Sequence, residues 1–68
     1  MTRPLRIPPD SWRLIAATLR EAAALDAQNL PDRLANCPAD QRATMAEYEV
    51  SDIRELEHLA ELIEARYP

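Results

Sequence analysis

The sequence predicts an all-α fold, an antiparallel helical hairpin with a short middle helix. The 68-residue chain contains no glycine, and glycine is the residue on which the favoured two-residue turns between β-strands depend. Six prolines instead punctuate segments rich in alanine and leucine, which are strong helix formers. Apolar residues in these segments recur at three- and four-residue intervals, a spacing typical of one buried helix face.

The prolines near the N-terminus divide the chain into an extended arm, residues 1–9, and a single helical domain, residues 10–67. Pro4, Pro8 and Pro9 fix their own φ angles and disfavour helix in the residues before them. Pro9 suits the first turn of a helix, and Asp10 or Ser11 can accept hydrogen bonds from its free N–H groups.

The first helix of the domain is expected to run from residues 9–11 to about residue 29. Pro31 is predicted to end or kink it, with one short turn over 31–36 before Cys37 and Pro38. Small alanines on its apolar stripe would permit a second helix to approach closely. The stripe consists of Trp12, Ile15, Ala16, Leu19, Ala22, Ala23, Ala27 and Leu30.

One further helix, or a pair of helices, is predicted over residues 39–66. The joint in doubt is Val50-Ser51-Asp52, where Ser51 could cap a new helix, and we favour a kink or break near residue 50. If the helix is continuous, its apolar residues share a broad arc of one face. They are Met45, Tyr48, Ile53, Leu56, Leu59, Ala60, Ile63 and Tyr67.

The small size of the chain predicts a partner subunit. A domain of this length buries only about 60% of its unfolded surface, and natural proteins of this size usually add disulfides, a metal or oligomerisation. Cys37 is the one cysteine and has no partner for an internal disulfide, and no Cys/His cluster offers zinc a site. We therefore expect a homodimer that forms a four-helix-like bundle.

The charge balance is acidic, with twelve acidic residues against eight basic ones, all arginine, and a formal net charge of −4. This balance argues against general nucleic-acid binding, which needs a basic face. No apolar run approaches the ~20 residues of a membrane span, and the N-terminus lacks the apolar core of a secretory signal. The expected location is the cytoplasm.

Catalytic chemistry finds little support in the sequence. Without glycine there is no phosphate-binding loop, dinucleotide fingerprint or nucleophile elbow. Cys37 is a candidate nucleophile, but nothing in the sequence places His58 beside it as a base. Glu55 and His58 have the Glu-x-x-His spacing of di-iron bundles, which need two such motifs and two further carboxylates. We expect no catalytic, metal or cofactor site, and no enzyme.

A second, weaker apolar stripe lies nearly opposite the first on the N-terminal helix. Leu14, Thr18 and Leu25 share it with Glu21. Two interpretations stay open: a face for a partner, or scattered surface leucines, which are common. Trp12 and Arg13 have the composition of an interface hot spot, although Trp12 suits a core position better.

The C-terminal helix carries an excess of acids, Glu55 and Glu61 among them. They would either attract a basic partner or form an ordinary solvated face that keeps the protein soluble. The second interpretation is favoured, because imitation of nucleic acid needs a denser and more widespread charge.

The preferred functional hypothesis is a non-enzymatic module that docks a helical face on a protein partner. In size, charge and composition the chain resembles small phage or mobile-element proteins that inhibit a host protein, although no motif carries the likeness. The alternative is a small DNA-binding or antitoxin-like regulator, for which residues 39–49 offer only Gln41 and Arg42 to bases. The candidate partner contacts are Trp12, Arg13, Leu14, Leu25, Glu55 and Glu61.

Overall fold

The computed structural model of the protein describes residues 6–68. Its two long helices are α1, Pro9–Ala35, and α2, Arg42–Arg66, joined through a three-residue 3-10 helix over Ala39–Gln41. The start of α1 packs against the end of α2, so the two helices are antiparallel. Within the described residues the chain is 87% helical and has no strands. The all-α helical hairpin predicted from the sequence is therefore confirmed. The first five residues of the predicted arm lie outside the described range.

Helix α1 begins at Pro9 because the local sequence supplies a matched start. Pro8 is extended, with φ −60° and ψ 152°, and the N–H of Trp12 donates to its carbonyl at 3.1 Å. Pro9 occupies the first turn of α1. Backbone N–H groups there have no hydrogen-bond partner within the helix, so a proline, which lacks the N–H, costs α1 no hydrogen bond. Asp10 adds a negative charge at the positive end of the helix dipole.

Pro31 does not end α1, which continues to Ala35, so the short turn expected over 31–36 belongs to the end of α1. Because proline has no N–H, Pro31 cannot donate a backbone hydrogen bond within α1. Other contacts stabilise the final turn of the helix. The guanidinium of Arg33 lies 3.5 Å from the carboxylate of Asp26 and 2.9 Å from that of Glu49 on α2. The structure therefore has no separate middle helix over 31–36, and the 3-10 segment Ala39–Gln41 occupies the start of the range predicted for the last helix.

The sequence analysis favoured a kink or a break near residue 50, and the break is wrong because α2 is continuous through Val50, Ser51 and Asp52. All three residues are exposed, so none of them buries a polar group inside the hairpin. Serine, valine and aspartate lower helix propensity only by several tenths of a kcal/mol each relative to alanine. The packing of the residues on either side outweighs that preference.

The seam between the helices is narrow and is built mainly from alanine. Among residues 6–68 the buried apolar side chains are Ala16, Ala23, Ile53 and Ala60, and no large side chain is fully buried. Larger residues along the seam are only half-buried: Trp12, Ile15, Leu19, Leu56, Ile63 and Tyr67. Alanine lets the helices approach closely, and it gives the hairpin very little interior.

The hairpin is a single layer of helix. Its radius of gyration is 15.7 Å and its extents are 47 × 30 × 15 Å, whereas a compact domain of this length has a radius of about 11 Å. Neither described helix is long and apolar enough to cross a membrane.

Candidate protein-binding surfaces

Two ion pairs mark the opposite sides of the hairpin. Measured around the axis of α1 from the buried Ala23, Arg20 lies about 60° in one direction and Arg33 lies about 80° in the other. Arg20 reaches the carboxylate of Glu64, with its Nε 3.0 and 2.9 Å from the two oxygens and its Nη2 also donating. Arg33 reaches Glu49 on the other side. These sides are called the Arg20 side and the Arg33 side below.

The Arg20–Glu64 pair shifts the pKa values of both its residues. The hydrogen bond from Arg20, followed by the attraction of its charge, holds the pKa of Glu64 below its ordinary value. The same hydrogen bond raises the pKa of Arg20, and the charges of Glu64, Glu61 and Glu57 raise it further. Glu61 and Glu57 therefore belong to the Arg20 side of the hairpin.

The α1 ridge is the line of Leu14, Thr18, Glu21 and Leu25 on the edge of α1 that faces away from α2. Leu14 is 68% exposed and Leu25 is 57% exposed. Eleven residues make just over three whole turns of helix, so the two leucines lie on nearly the same line. Between them, the hydroxyl of Thr18 donates to the carbonyl of Leu14 at 2.9 Å. The donor of that hydroxyl is therefore used within the helix.

Trp12 lies at the open end of the hairpin, away from the connecting turn. Its ring stacks on that of Tyr67, with centroids 5.8 Å apart and planes 4° from parallel, and both residues are half-buried. The neighbouring Arg13 is exposed and pairs with Asp10 at 3.3 Å. Trp12 thus covers the end of the seam. A small cavity of about 190 Å³ beside it is lined by Trp12, Leu62, Ile63, Arg66 and Tyr67.

The acidic contact candidates do not share a face. Glu55 and Glu61 are both exposed, but a separation of six residues puts them about 120° apart around α2. Of the six candidates, Leu14 and Leu25 form one continuous apolar surface.

The α2 stripe is a second exposed apolar surface, which the sequence analysis did not separate from the core. Tyr48 is 67% exposed and Leu62 is 55% exposed, and Met45 and Leu59 are exposed as well. The sequence analysis placed Met45, Tyr48 and Leu59 in the broad apolar arc of α2. Helix α1 covers only the part of that arc centred on Ile53 and Ala60. The signal that distinguishes the stripe is heptad spacing, and its members are Met45, Tyr48, Asp52, Glu55, Leu59 and Leu62.

A shallow depression of about 420 Å³ lies on α2, away from both surfaces. Its described walls come from α2 alone and are Ala46, Glu47, Val50, Ser51 and Arg54. No buried side-chain nitrogen or oxygen lacks a hydrogen-bond partner within the described residues. No buried, unpartnered polar atom of the described side chains therefore points into the depression.

Metal-ligating and nucleophilic side chains do not converge in the described part of the hairpin. No group of three or more His, Cys, Asp or Glu residues there could hold a metal ion. Cys37 is a free, half-buried thiol in the connection between the helices, while Glu55 and His58 are exposed on α2.

Several arginines are engaged within the hairpin. Arg13, Arg20 and Arg33 each pair with carboxylates, and Arg42 donates to the carbonyl of Leu34 at 2.9 Å. These contacts reduce the positive charge that α1 and the start of α2 can present to a phosphate backbone.

Comparison with known proteins gives the chain no relatives. No family model matches it, and no curated protein and no solved structure is significantly similar to it. Arguments about its function therefore rest on its own surfaces.

Proposed function

We propose that the protein is a non-enzymatic binding module that docks the α1 ridge into an apolar groove of a protein partner. The observation that carries the proposal is the pair of exposed leucines, Leu14 and Leu25, aligned on one edge of α1. An amphipathic helix that inserts apolar anchors into a groove is a recurring mode of protein recognition. The internal hydrogen bond of Thr18 supports this mode, because its donor needs no partner in the groove.

The ridge offers enough apolar surface to matter for affinity. Complete burial of an exposed leucine contributes about 1.5–3 kcal/mol. Scaled to the exposed fractions of Leu14 and Leu25, the two together contribute about 2–4 kcal/mol. That free energy corresponds to a factor of roughly 30 to several hundred in the dissociation constant.

The charge of the module constrains the chemistry of its partner. The chain carries a net charge of −4, and Glu21 lies between the two leucines of the ridge. Complementary potentials steer association and suppress wrong partners. The groove that fits this surface is apolar at its centre and basic at its rim.

The proposal is tested by capture followed by a binding measurement. The full chain is immobilised, proteins are captured from a bacterial lysate, and a captured protein is then purified and titrated against variants. We expect Leu14→Asp and Leu25→Asp each to weaken binding at least tenfold with an unchanged circular-dichroism spectrum. The matched control is His58→Asp, an exposed position about 140° around α2 from the buried Ile53, which should change binding less than twofold.

Two outcomes would overturn the proposal. Binding that survives both leucine substitutions would exclude the α1 ridge as the contact surface. A gel shift with DNA at low salt that disappears when residues 1–9 are removed would favour the DNA-binding alternative instead.

A further inference from the structure

We propose that the α2 stripe is covered by the α2 stripe of a second copy of this chain, antiparallel across a twofold axis. This inference concerns a different surface from the α1 ridge and does not depend on the proposed function. It assigns the dimer contact to α2 and leaves the ridge free for another protein.

The first argument is the amount of surface that the hairpin leaves exposed. The chain exposes 5707 Å², whereas a compact folded protein of 7.7 kDa exposes about 4300 Å². The excess of about 1400 Å² is larger than the roughly 800 Å² that each partner buries in an interface of standard size. An interface of standard size would remove more than half of that excess.

The second argument is the position of the α2 stripe in the hairpin. Measured around the α2 axis from the buried Ala60, Leu59 lies at about 100° and Tyr48 at about 120°. Both lie in the same direction from Ala60 as Glu49, the partner of Arg33. The stripe therefore lies on the Arg33 side and leaves the contact with α1 intact. Helix α2 can pack on α1 through one face and on a second α2 through the other, as helices do in a four-helix bundle.

The third argument is that the α2 stripe is complementary to itself. Its members follow the a and d positions of a heptad repeat, which form the contact seam of packed helices. With the twofold axis between residues 53 and 54, Met45 lies opposite the second copy's Leu62, and Tyr48 lies opposite the second copy's Leu59. Every apolar member then meets an apolar one, which is what an isologous contact requires.

Other registers lose this match. A slip of one heptad places Leu62 opposite Asp52 and Leu59 opposite Glu55, so apolar groups are buried against carboxylates, at a cost in desolvation. In the matched register the acids instead lie at the twofold axis, where Asp52 of each copy faces Glu55 of the other. Like charges across an interface weaken association, so these four carboxylates should limit the affinity of the dimer.

The carboxylates at the twofold axis provide a test whose expected result, a tighter dimer, cannot arise from unfolding of the variant. Sedimentation equilibrium of the full chain at several concentrations should show a reversible monomer–dimer equilibrium. The double variant Asp52→Asn, Glu55→Gln should tighten the dimer at least tenfold. Its control is the double variant Glu57→Gln, Glu61→Gln, which makes the same change in net charge on the Arg20 side and should alter the dissociation constant less than threefold.

The register is tested by cross-linking in a Cys37→Ser background. In the matched register Met45 and the second copy's Leu62 are opposite each other, while the two copies of Met45 lie about 25 Å apart along the helix axis. Under mild oxidation, a mixture of the Met45→Cys and Leu62→Cys chains should form a mixed disulfide dimer. Neither chain alone should do so.

Three results would overturn the inference. The first is a chain that stays monomeric at all concentrations while folded by circular dichroism. The second is an equal response of the dimer to the two double variants, which would place its interface away from the axis acids. The third is a disulfide dimer that forms as readily from either cysteine chain alone, which would exclude the matched antiparallel register.

Discussion

Replacing Ala60 with leucine tests the seam on which the hairpin depends. Ala60 is fully buried on α2, so the added carbon atoms have no empty space to enter and must push α1 and α2 apart. Overpacking of this kind costs about 1–3 kcal/mol, a large part of the roughly 3–10 kcal/mol of stability expected for a chain of this length. Because 1 kcal/mol shifts the Tm of such a domain by about 4–8 °C, we expect a fall of about 5–20 °C.

The matched control is Ala65→Leu, five residues further along the same helix and exposed. Both substitutions change helix propensity by the same small amount, so the difference between them reports packing alone. Ala65→Leu should change the free energy of unfolding by less than about 0.5 kcal/mol. The measurement is thermal and urea unfolding followed by circular dichroism, at one fixed protein concentration because any dimer makes the Tm depend on concentration. Equal stabilities for the two variants would refute the close approach of the helices at Ala60.

Three further predictions concern the hairpin itself. Ile53→Ala should destabilise the fold by about 2–5 kcal/mol in urea unfolding, because Ile53 is the one buried apolar residue larger than alanine in the described chain and its loss leaves a cavity; a cost below about 1 kcal/mol would contradict its place in the core. Because Arg20 lowers the pKa of Glu64, their pair should stabilise the fold above the ordinary carboxyl pKa, and this stability should be lost as pH falls through the lower folded pKa. When the Tm is measured from pH 7 to 2, Glu64→Gln should therefore show a smaller decrease at acid pH than the unsubstituted chain. An equal decrease would count against the pair. Pro31→Ala should raise the Tm, because it restores an N–H donor inside α1, and the same thermal scans would show a fall if proline is required there.

The helical hairpin could be predicted from the sequence because its signals are local. The absence of glycine, the helix formers and the apolar spacing all act within a few turns of chain, and the proline-led start of α1 follows from the chemistry of Pro9. The ends and joints were harder. Pro31 and Ser51 are unfavourable for a helix in isolation, yet contacts with the other helix outweigh the low helix propensity of both residues.

The surfaces could be predicted only in part for a different reason. The broad apolar arc of α2 contains two overlapping stripes, one with Ile53 and Ala60 and another with Tyr48 and Leu59. A periodic pattern shows that these residues lie on one side of a helix, but not which of them faces α1. That choice depends on the narrow alanine seam, which becomes visible only when both helices are placed together.

The position of Trp12 has a practical consequence for spectroscopy of this protein. It is the single tryptophan of the chain, and it is stacked on Tyr67 where the first and last turns of the hairpin meet. The Arg33–Glu49 contact near the connecting turn joins residues only 16 apart in the chain, so that end loses less chain entropy when it closes. Intrinsic fluorescence therefore reports fraying of the chain ends, and its transition should precede the loss of helical ellipticity.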